Sequence, residues 1–534
     1  FGYTKKYYCK NGRIIEMIYL LPDIIKNSAN RFPDNVAFRY ENESITFEGL
    51  LNRSNQLAFM LSELGVKRGD RVGIFLDSSL ETAMSVYGIM SAGAVFVPLD
   101  TNAPPARIAF VINDCGIRHI ISGKKQSRSL NKILAENVSL ESVIGIDEQL
   151  PVKTVSWEEV GRLSPSQTVS VRMLEDDLAY IMYTSGTTGT PKGIMHSHRS
   201  GLAYAKLSKD LYDVGPTDIL GNHSPLHFDI STMGYFTMPL AGGTTVLIPE
   251  SHKLFPANLS QLMEKEGLTI WYSVPLALTQ MLQRGLLNDR KMDALRWVLF
   301  GGEPFHPKHL RCLMQLWDKA TFSNVYGPAE VNQCTYFHLL HLPNEEDPIP
   351  IGQVWNNTEV LIVDEKEVEV SDGEIGELLV RSATMMKGYW GKAELSQKAF
   401  FRRERFPNAT EIFYRTGDLV WRNREGELMF AGRKDRQIKI RGYRVELNEI
   451  ESVLISLSYI TETAVYYMKN DEADSAIEAI VVLSDPGSAS EENIKKSLAA
   501  KLPAYAVPHR IYFSDSIPRT PAGKIDYKKL KKQT

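Results

Sequence analysis

Leu20, Leu21, Ile24 and Ile25 recur at helical spacing, and Leu50, Leu57, Leu61 and Leu64 do the same before Gly65, so two amphipathic helices are predicted early in the chain. Short apolar runs follow at Val72 to Leu76, Ala94 to Leu99, His119 to Ile121 and Thr244 to Ile248, and each reads as a strand. Helix and strand alternate, which predicts α/β architecture with largely buried sheets. Two uncharged runs, Thr82 to Leu99 and Ile230 to Pro249, approach the length of a membrane span. Gly93 divides the first, and Pro239, Gly242 and Gly243 interrupt the second, so each reads instead as a buried helix feeding a buried strand.

From Gly432 the texture changes. The charged stretch GRKDRQIKIRGYRVE precedes a predicted helix from Leu447 to Leu457, strands at Thr463 to Met468 and Ala476 to Leu483, and a helix that starts in the polar run Ser488 to Glu492 and continues through Lys501. These elements are enough for a second core. The expected organisation is a large N-terminal α/β domain of β-sheets packed with helices over 1–431, and a small mobile α+β C-terminal domain over 432–534.

Composition narrows the function. Hydrophobic residues make up 43% and charged residues 23% of the 534, which is ordinary globular usage with no sign of disorder. Lys+Arg at 61 against Asp+Glu at 64 leaves a net charge of -3, so nucleic acid is not expected as a ligand. Cys9, Cys115, Cys312 and Cys334 show no CxxC spacing, and the expectation is reduced thiols in a cytoplasmic protein with no membrane association. The chain opens on Phe1 without a charged segment leading into an apolar one, and no signal peptide is expected in it.

The segment YTSGTTGTPKG, Tyr183 to Gly193, gathers Gly186, Gly189, hydroxyl side chains and Lys192. Glycine lets backbone N–H groups approach an anion, hydroxyls add donors and lysine adds charge, which are the parts of a phosphate cradle. The P-loop pattern fails here, because Pro191 precedes the lysine and Gly193 follows it. At this loop the chain resembles the adenylate-forming superfamily of acyl-CoA synthetases, luciferases and nonribosomal peptide adenylation domains. The resemblance continues in order through VYGPAE (Val325 to Glu330), GELLV (Gly376 to Val380), YRTGDL (Tyr414 to Leu419), GRKDRQIKIRGYRVEL (Gly432 to Leu447) and PRTPAGKIDY (Pro518 to Tyr527). Ala329, Asn448 and Ala522 depart from the residues common at those places.

The resemblance implies that a carboxylate attacks the α-phosphorus of ATP, giving an acyl adenylate and pyrophosphate, and that a thiol then displaces AMP. Two anions meet in the first step, so cations including Mg²⁺ are implied. By the same resemblance Thr184, Ser185, Gly186, Thr187, Thr188, Gly189 and Lys192 hold the departing phosphates, and Glu330 ligates the metal. Tyr326 and Gly327 would flank the adenine with Asn324, Val325 and the Gly301-Gly302-Glu303 turn, while Asp418, assisted by Arg433, would accept from the ribose hydroxyls. Thr184, Lys192 and Lys524 are the implied catalytic groups, with Lys524 bridging the substrate carboxylate and ATP. Asp435 would be the hinge about which the small domain rotates between the two half-reactions. The pair His196 and His198 has no acidic or cysteine companions and reads as local structure rather than a metal site.

Within the superfamily, Asp229 in SPLHFDISTMGYF stands where amino-acid-activating members carry an aspartate for the substrate ammonium; the alternative for this residue is a helix N-cap. The implied pocket wall comprises His227, Phe228, Ile230, Met233, Ser273 or its neighbour Tyr272, Leu299, Gly301, Val325, Gln333 and Cys334. None is charged, so a small or medium apolar side chain is expected. Leu299, Cys334 and the WYSVP segment are similar to stand-alone prolyl-AMP ligases, although WYSVP also resembles enzymes for β-amino acids. Neither a GGxS carrier motif nor an HHxxxDG condensation motif occurs, so a separate carrier protein bearing phosphopantetheine is the implied acceptor. An acyl-CoA synthetase and a noncatalytic scaffold are the alternatives, the latter weakened by the joint presence of Lys192, Glu330, Asp418 and Lys524.

If Lys524 serves only the first half-reaction, Lys524→Ala will depress adenylate formation, read by pyrophosphate exchange, at least tenfold more than transfer from a preformed adenylate, about 1.4 kcal/mol of selective loss. Equal losses in both steps would refute that division.

Overall fold

In the computed structural model, residues 7–8, 14–15, 17–186, 190–468, 476–485, 487–519, 525–527 and 529–530 are described. The predicted alternation is present: Phe47–Glu63 forms a helix whose Leu50, Leu57 and Leu61 are fully buried, and the uncharged run at 82–99 becomes the helix Leu80–Ser91 followed by the strand Val95–Pro98. Leu20 and Leu21 lie ahead of their helix, which begins at Asp23, one residue after Pro22. Pro is tolerated at a helix start but not inside one, so the apolar spacing extends further than the hydrogen bonding does. The second uncharged run turns through short helical segments to Ala241 and then the strand Thr244–Leu247, with Gly242 left-handed at φ 81° between them. Among the described residues no helix is long and apolar enough to cross a membrane.

Two large sheets form the N-terminal domain. In one, the parallel strands Val95–Pro98, Arg71–Phe75, His119–Ser122, Ser142–Ile144 and Lys153–Val155 continue from Leu178–Thr184, which pairs antiparallel with Lys192–Ser197. The turn of that pair is the predicted phosphate loop. In the other, Thr244–Leu247, Ile219–Asn222, Ile270–Ser273, Trp297–Gly301 and Thr321–Tyr326 run parallel in that spatial order. In open α/β sheets ligands bind beyond the carboxyl ends of such strands. His227 to Asp229, Tyr272, Gly301 to Glu303 and Tyr326 to Glu330 all lie at or just beyond those ends. A third, antiparallel sheet carries Asp418 on Ala409–Arg422, paired with Arg433 on Leu428–Arg433.

The small C-terminal domain has its own core, in which Ile450, Leu454, Val465, Ala479, Val481, Ile494 and Leu498 are buried together. Leu447–Ile455 and Glu491–Ala499 are two of its helices, the second capped by Ser490, and Ile460–Met468, Ala476–Leu483 and Arg510–Phe513 form a three-stranded sheet. Ahead of them the strands Gln437–Ile440 and Tyr443–Glu446 make a two-residue hairpin. Arg441 (φ 53°) and Gly442 (φ 79°) form its tip. Positive φ at both positions is what a tight hairpin following the natural strand twist requires.

Candidate active site

That hairpin tip inserts into the N-terminal domain. A Cβ on Gly442 would lie 2.5 Å from Val274, so a larger residue there meets both left-handed strain and a collision. The Gly442 N–H points at Glu303 (3.4 Å), Tyr443 stacks on Tyr505 with ring centroids 3.9 Å apart, and Phe228 meets the Tyr443 ring edge-on. Glu303, implied as an ATP contact, here accepts from the Leu276 and Gly442 backbone and braces the hairpin.

Just behind the tip, Glu330 is fully buried. Arg444 Nη1 donates to both of its oxygens (2.9 and 2.8 Å), the Tyr389 hydroxyl donates to Oε1 (2.8 Å), and Lys192 Nζ lies 3.3 Å from the same oxygen. Burial alone would raise the Glu330 pKa, but Arg444 and Lys192 hold it well below the usual carboxylate range. Burial and the neighbouring Arg444 bring Lys192 down to about 8. Glu330 therefore does not fit a magnesium ion in this arrangement, since a hard cation needs oxygen lone pairs that Arg444 already occupies. Among the described residues no group of three metal-ligating side chains occurs elsewhere.

Of the phosphate loop, Thr187, Thr188 and Gly189 lie outside the described residues, as does Lys524. Ser185 donates to the Arg444 carbonyl (2.8 Å), and Thr184 Oγ1 is buried without a partner beside the cavity. A Cβ on Gly186 would lie 2.0 Å from the Thr190 carbonyl oxygen, so only glycine permits this turn.

The cavity itself, about 110 Å³, is lined by Thr184, His227 to Ile230, Tyr272, Gly302, Val325, Gly327, Gln333, Asp418 and Arg433. Asp418 accepts from Arg433 on one oxygen and from the Tyr326 hydroxyl on the other. Asp229 caps no helix. Its Oδ1 accepts only the adjacent Ile230 N–H (2.9 Å), and burial raises its pKa to about 6 against the opposing pull of Lys439. Burial lowers the His227 pKa, which keeps the ring neutral beside Asp100.

Strand alternation decides between Tyr272 and Ser273. Tyr272 faces the cavity, whereas Ser273 turns to the opposite side and accepts from the Trp271 indole N–H (2.8 Å). Met233 and Leu299 pack behind the wall. Cys334 is buried in a separate apolar cluster, and the Asn324 amide is spent on the Pro350 carbonyl (2.8 Å), so neither reaches the cavity as expected. Gly301 closes the strand Trp297–Gly301 behind Gly302. Asp435, the expected hinge, sits in the bend between the strands ending at Arg433 and beginning at Gln437, with Arg433 paired to its carboxylate (2.7 Å). His196 and His198 act locally: one ring stacks on Tyr180 and the other accepts the Leu21 N–H.

Lys439 was missed by motif reasoning. It lines the cavity with Gln437, and its charge feels Asp418 and Asp229 most strongly among the acids, although burial lowers its pKa. The signal was present, since residues two apart on a strand share a face and Gln437 and Lys439 bracket Ile438 within the recognised segment. A second cavity of about 720 Å³ meets the first at His227, Phe228, Gly442, Tyr443 and Tyr505, and extends past Asp100 and Lys253.

The sequence signature of the AMP-binding enzyme family matches residues 25–390, and that of the AMP-binding enzyme C-terminal domain matches residues 449–524. An L-proline--[L-prolyl-carrier protein] ligase of Pseudomonas fluorescens is 31% identical over 516 residues, 96% of this chain and 99% of that protein. Tyrocidine synthase 2 of Brevibacillus parabrevis is 32% identical over 515 residues, 96% of this chain but 14% of that much longer protein. The structure of amide bond synthetase McbA from Marinactinospora thermotolerans superposes with a TM-score of 0.86 at 24% identity, covering 96% of this chain and 99% of that one, which shows a shared fold.

Because Arg444 and Glu330 join the two domains through a buried ion pair, Arg444→Ala is expected to cost docking about 3–5 kcal/mol. The readout is faster hydrogen exchange in 434–446, and Glu330→Gln should add little to it in a double-mutant cycle. Additive effects would mean that the two side chains do not act on each other.

Proposed function

We propose that this chain, which belongs to the AMP-binding enzyme family, uses ATP to activate a small amino acid, L-proline, and passes it to the phosphopantetheine thiol of a separate carrier protein. In the first step the amino acid carboxylate attacks the α-phosphorus and pyrophosphate leaves. In the second the thiol, losing its proton, attacks the acyl carbon, and AMP leaves with the electrons of the acyl–oxygen bond. The chemistry is that of a soluble enzyme working on a soluble partner in the cytoplasm, in keeping with the free thiols of Cys115, Cys312 and Cys334.

The observation that carries this reading is Asp229, a carboxylate at the cavity wall whose single hydrogen bond comes from its neighbour's backbone. Such a group is costly to ionise until a cation arrives, and the ammonium of an amino acid is a cation of the right size. Ile230, Tyr272 and Val325 surround it with apolar surface suited to a compact side chain. Proline is rigid and loses little entropy on binding. The cavity offers the unpaired Thr184 hydroxyl to the phosphates and Asp418 to the ribose, while Ser185 would have to leave the Arg444 carbonyl to join them. Magnesium, general in ATP chemistry, would have to find Glu330 free of Arg444.

In the arrangement described, the C-terminal domain presents Lys439, the Gly442 hairpin tip and Arg444 to the cavity. The adjoining cavity of about 720 Å³ runs past that tip and supplies a route for a long, thin thiol arm. This supports reading the arrangement as the one for thiol transfer, with Lys524 serving the other.

Two measurements test the proposal. Pyrophosphate exchange at matched concentrations should rank L-proline above alanine, valine, leucine, pipecolate and 3-aminobutanoate. Preference for 3-aminobutanoate would mark a β-amino acid enzyme, and preference for fatty or aryl acids an acyl-CoA synthetase. Asp229 binds the ammonium only as the carboxylate, and its pKa stands at about 6 before substrate binds. Protonation therefore removes the anchor as pH falls, so kcat/KM should drop about tenfold per pH unit below that value. Asp229→Asn should flatten this dependence and raise KM at neutral pH by roughly ten- to a hundredfold. An unchanged pH profile in the variant would remove Asp229 from substrate binding.

A further inference from the structure

Gln333 stands in the wall of the cavity that holds Asp229, and only 3% of its surface is exposed. Its Nε2 donates to the Tyr272 hydroxyl, which is itself buried in the same wall. The other amide atom, Oε1, is buried without a hydrogen-bond partner. Apolar surface adjoins this pair, with Ile230 and Val325 in the same cavity and Met233 and Leu299 in one cluster with Tyr272, while the Tyr204 and Tyr212 hydroxyls and Asp229 stand near the Tyr272 phenol. A glutamine in such a wall is half satisfied, and a purely apolar ligand leaves it so.

The same holds if the amide is turned over. Oε1 then accepts the Tyr272 O–H and Nε2 becomes the unpaired atom, so one polar end of Gln333 lacks a partner in either orientation. A hydroxyl group both donates and accepts, and it satisfies whichever end is free. The ring carbons of proline carry no such group.

We propose that the side-chain pocket selects a proline-like amino acid bearing a hydroxyl on a ring carbon, read by Gln333 and Tyr272. The inference rests on the amino acid adenylation reading above and adds to it a second point of recognition, at the side chain rather than the ammonium. Proline itself is the poorer member of the pair, since it fits the apolar surface while leaving the amide unpaired.

The test measures kcat/KM by pyrophosphate exchange for L-proline, the 3- and 4-hydroxy-L-prolines and 4-methyl-L-proline. The wild-type protein should favour one hydroxyproline over proline by roughly 5- to 150-fold, the range expected when a ligand group satisfies one buried polar atom. Gln333→Leu should abolish that ratio, mainly through the KM of the hydroxylated substrate. The double variant Gln333→Leu with Tyr272→Phe removes the stranded phenol as well, and it decides by the same ratio if the single variant folds poorly. Wild-type preference for proline or methylproline, or a ratio unchanged in the variants, overturns the inference and leaves amino acid adenylation standing. Exchange with acyl acids but with no amino acid overturns both.

Discussion

A carboxylate with no exposure to water must have a cation, and at Glu330 the cations come from both domains. Lys192 reaches it from the strand after the predicted phosphate loop, and Arg444 from the second strand of the C-terminal domain's hairpin. Neither can be withdrawn cheaply, because the charge left behind has no solvent to replace it. The hairpin that brings Arg444 to Glu330 also sets Lys439 in the cavity wall and engages Ser185 through the Arg444 carbonyl. It also explains why the same carboxylate offers nothing to a metal ion while the domains stand this way.

Around that constraint the second large sheet does the gathering. Its parallel strands end side by side, and the residues just beyond each end come from segments far apart in the chain: His227 to Asp229, Tyr272, Gly302 and Gly327 to Gln333. The cavity has two chemical characters as a result. Asp418, Arg433 and Thr184 give it polar surface, Ile230, Tyr272 and Val325 give it apolar surface, and Asp229 lines the same cavity. Gln333 interrupts the apolar wall with a half-paired amide, a departure that carries information because burial makes it expensive.

The hairpin tip joins this site to the outside. Gly442 fits against Val274 because it has no Cβ, and its neighbour Tyr443 is clamped between Phe228 and Tyr505. Phe228 is adjacent in sequence to Asp229, so the cavity wall and the docked hairpin share one short segment. The clamp residues line the larger cavity as well as the smaller one.

Much of this was legible in the chain. Apolar spacing marked the helix Phe47–Glu63 and the buried strands, because burial imposes a period that survives in sequence. The ordered motifs marked Lys192, Tyr326, Glu330 and Asp418, because the chemistry demands particular groups at short spacings within one loop or turn. Other features depended on partners distant in sequence. That Glu330 is held by Arg444, that Tyr272 rather than Ser273 faces the cavity, that Cys334 and Asn324 turn away, and that Lys439 enters the cavity are contacts between segments whose separation hides their pairing. The sequence by itself determined which elements form and which reaction they serve, since both rest on local periodicity and local chemistry. Only the tertiary structure decided which face of each strand meets the cavity and which cation neutralises a buried charge, because those are settled by packing between strands and between domains.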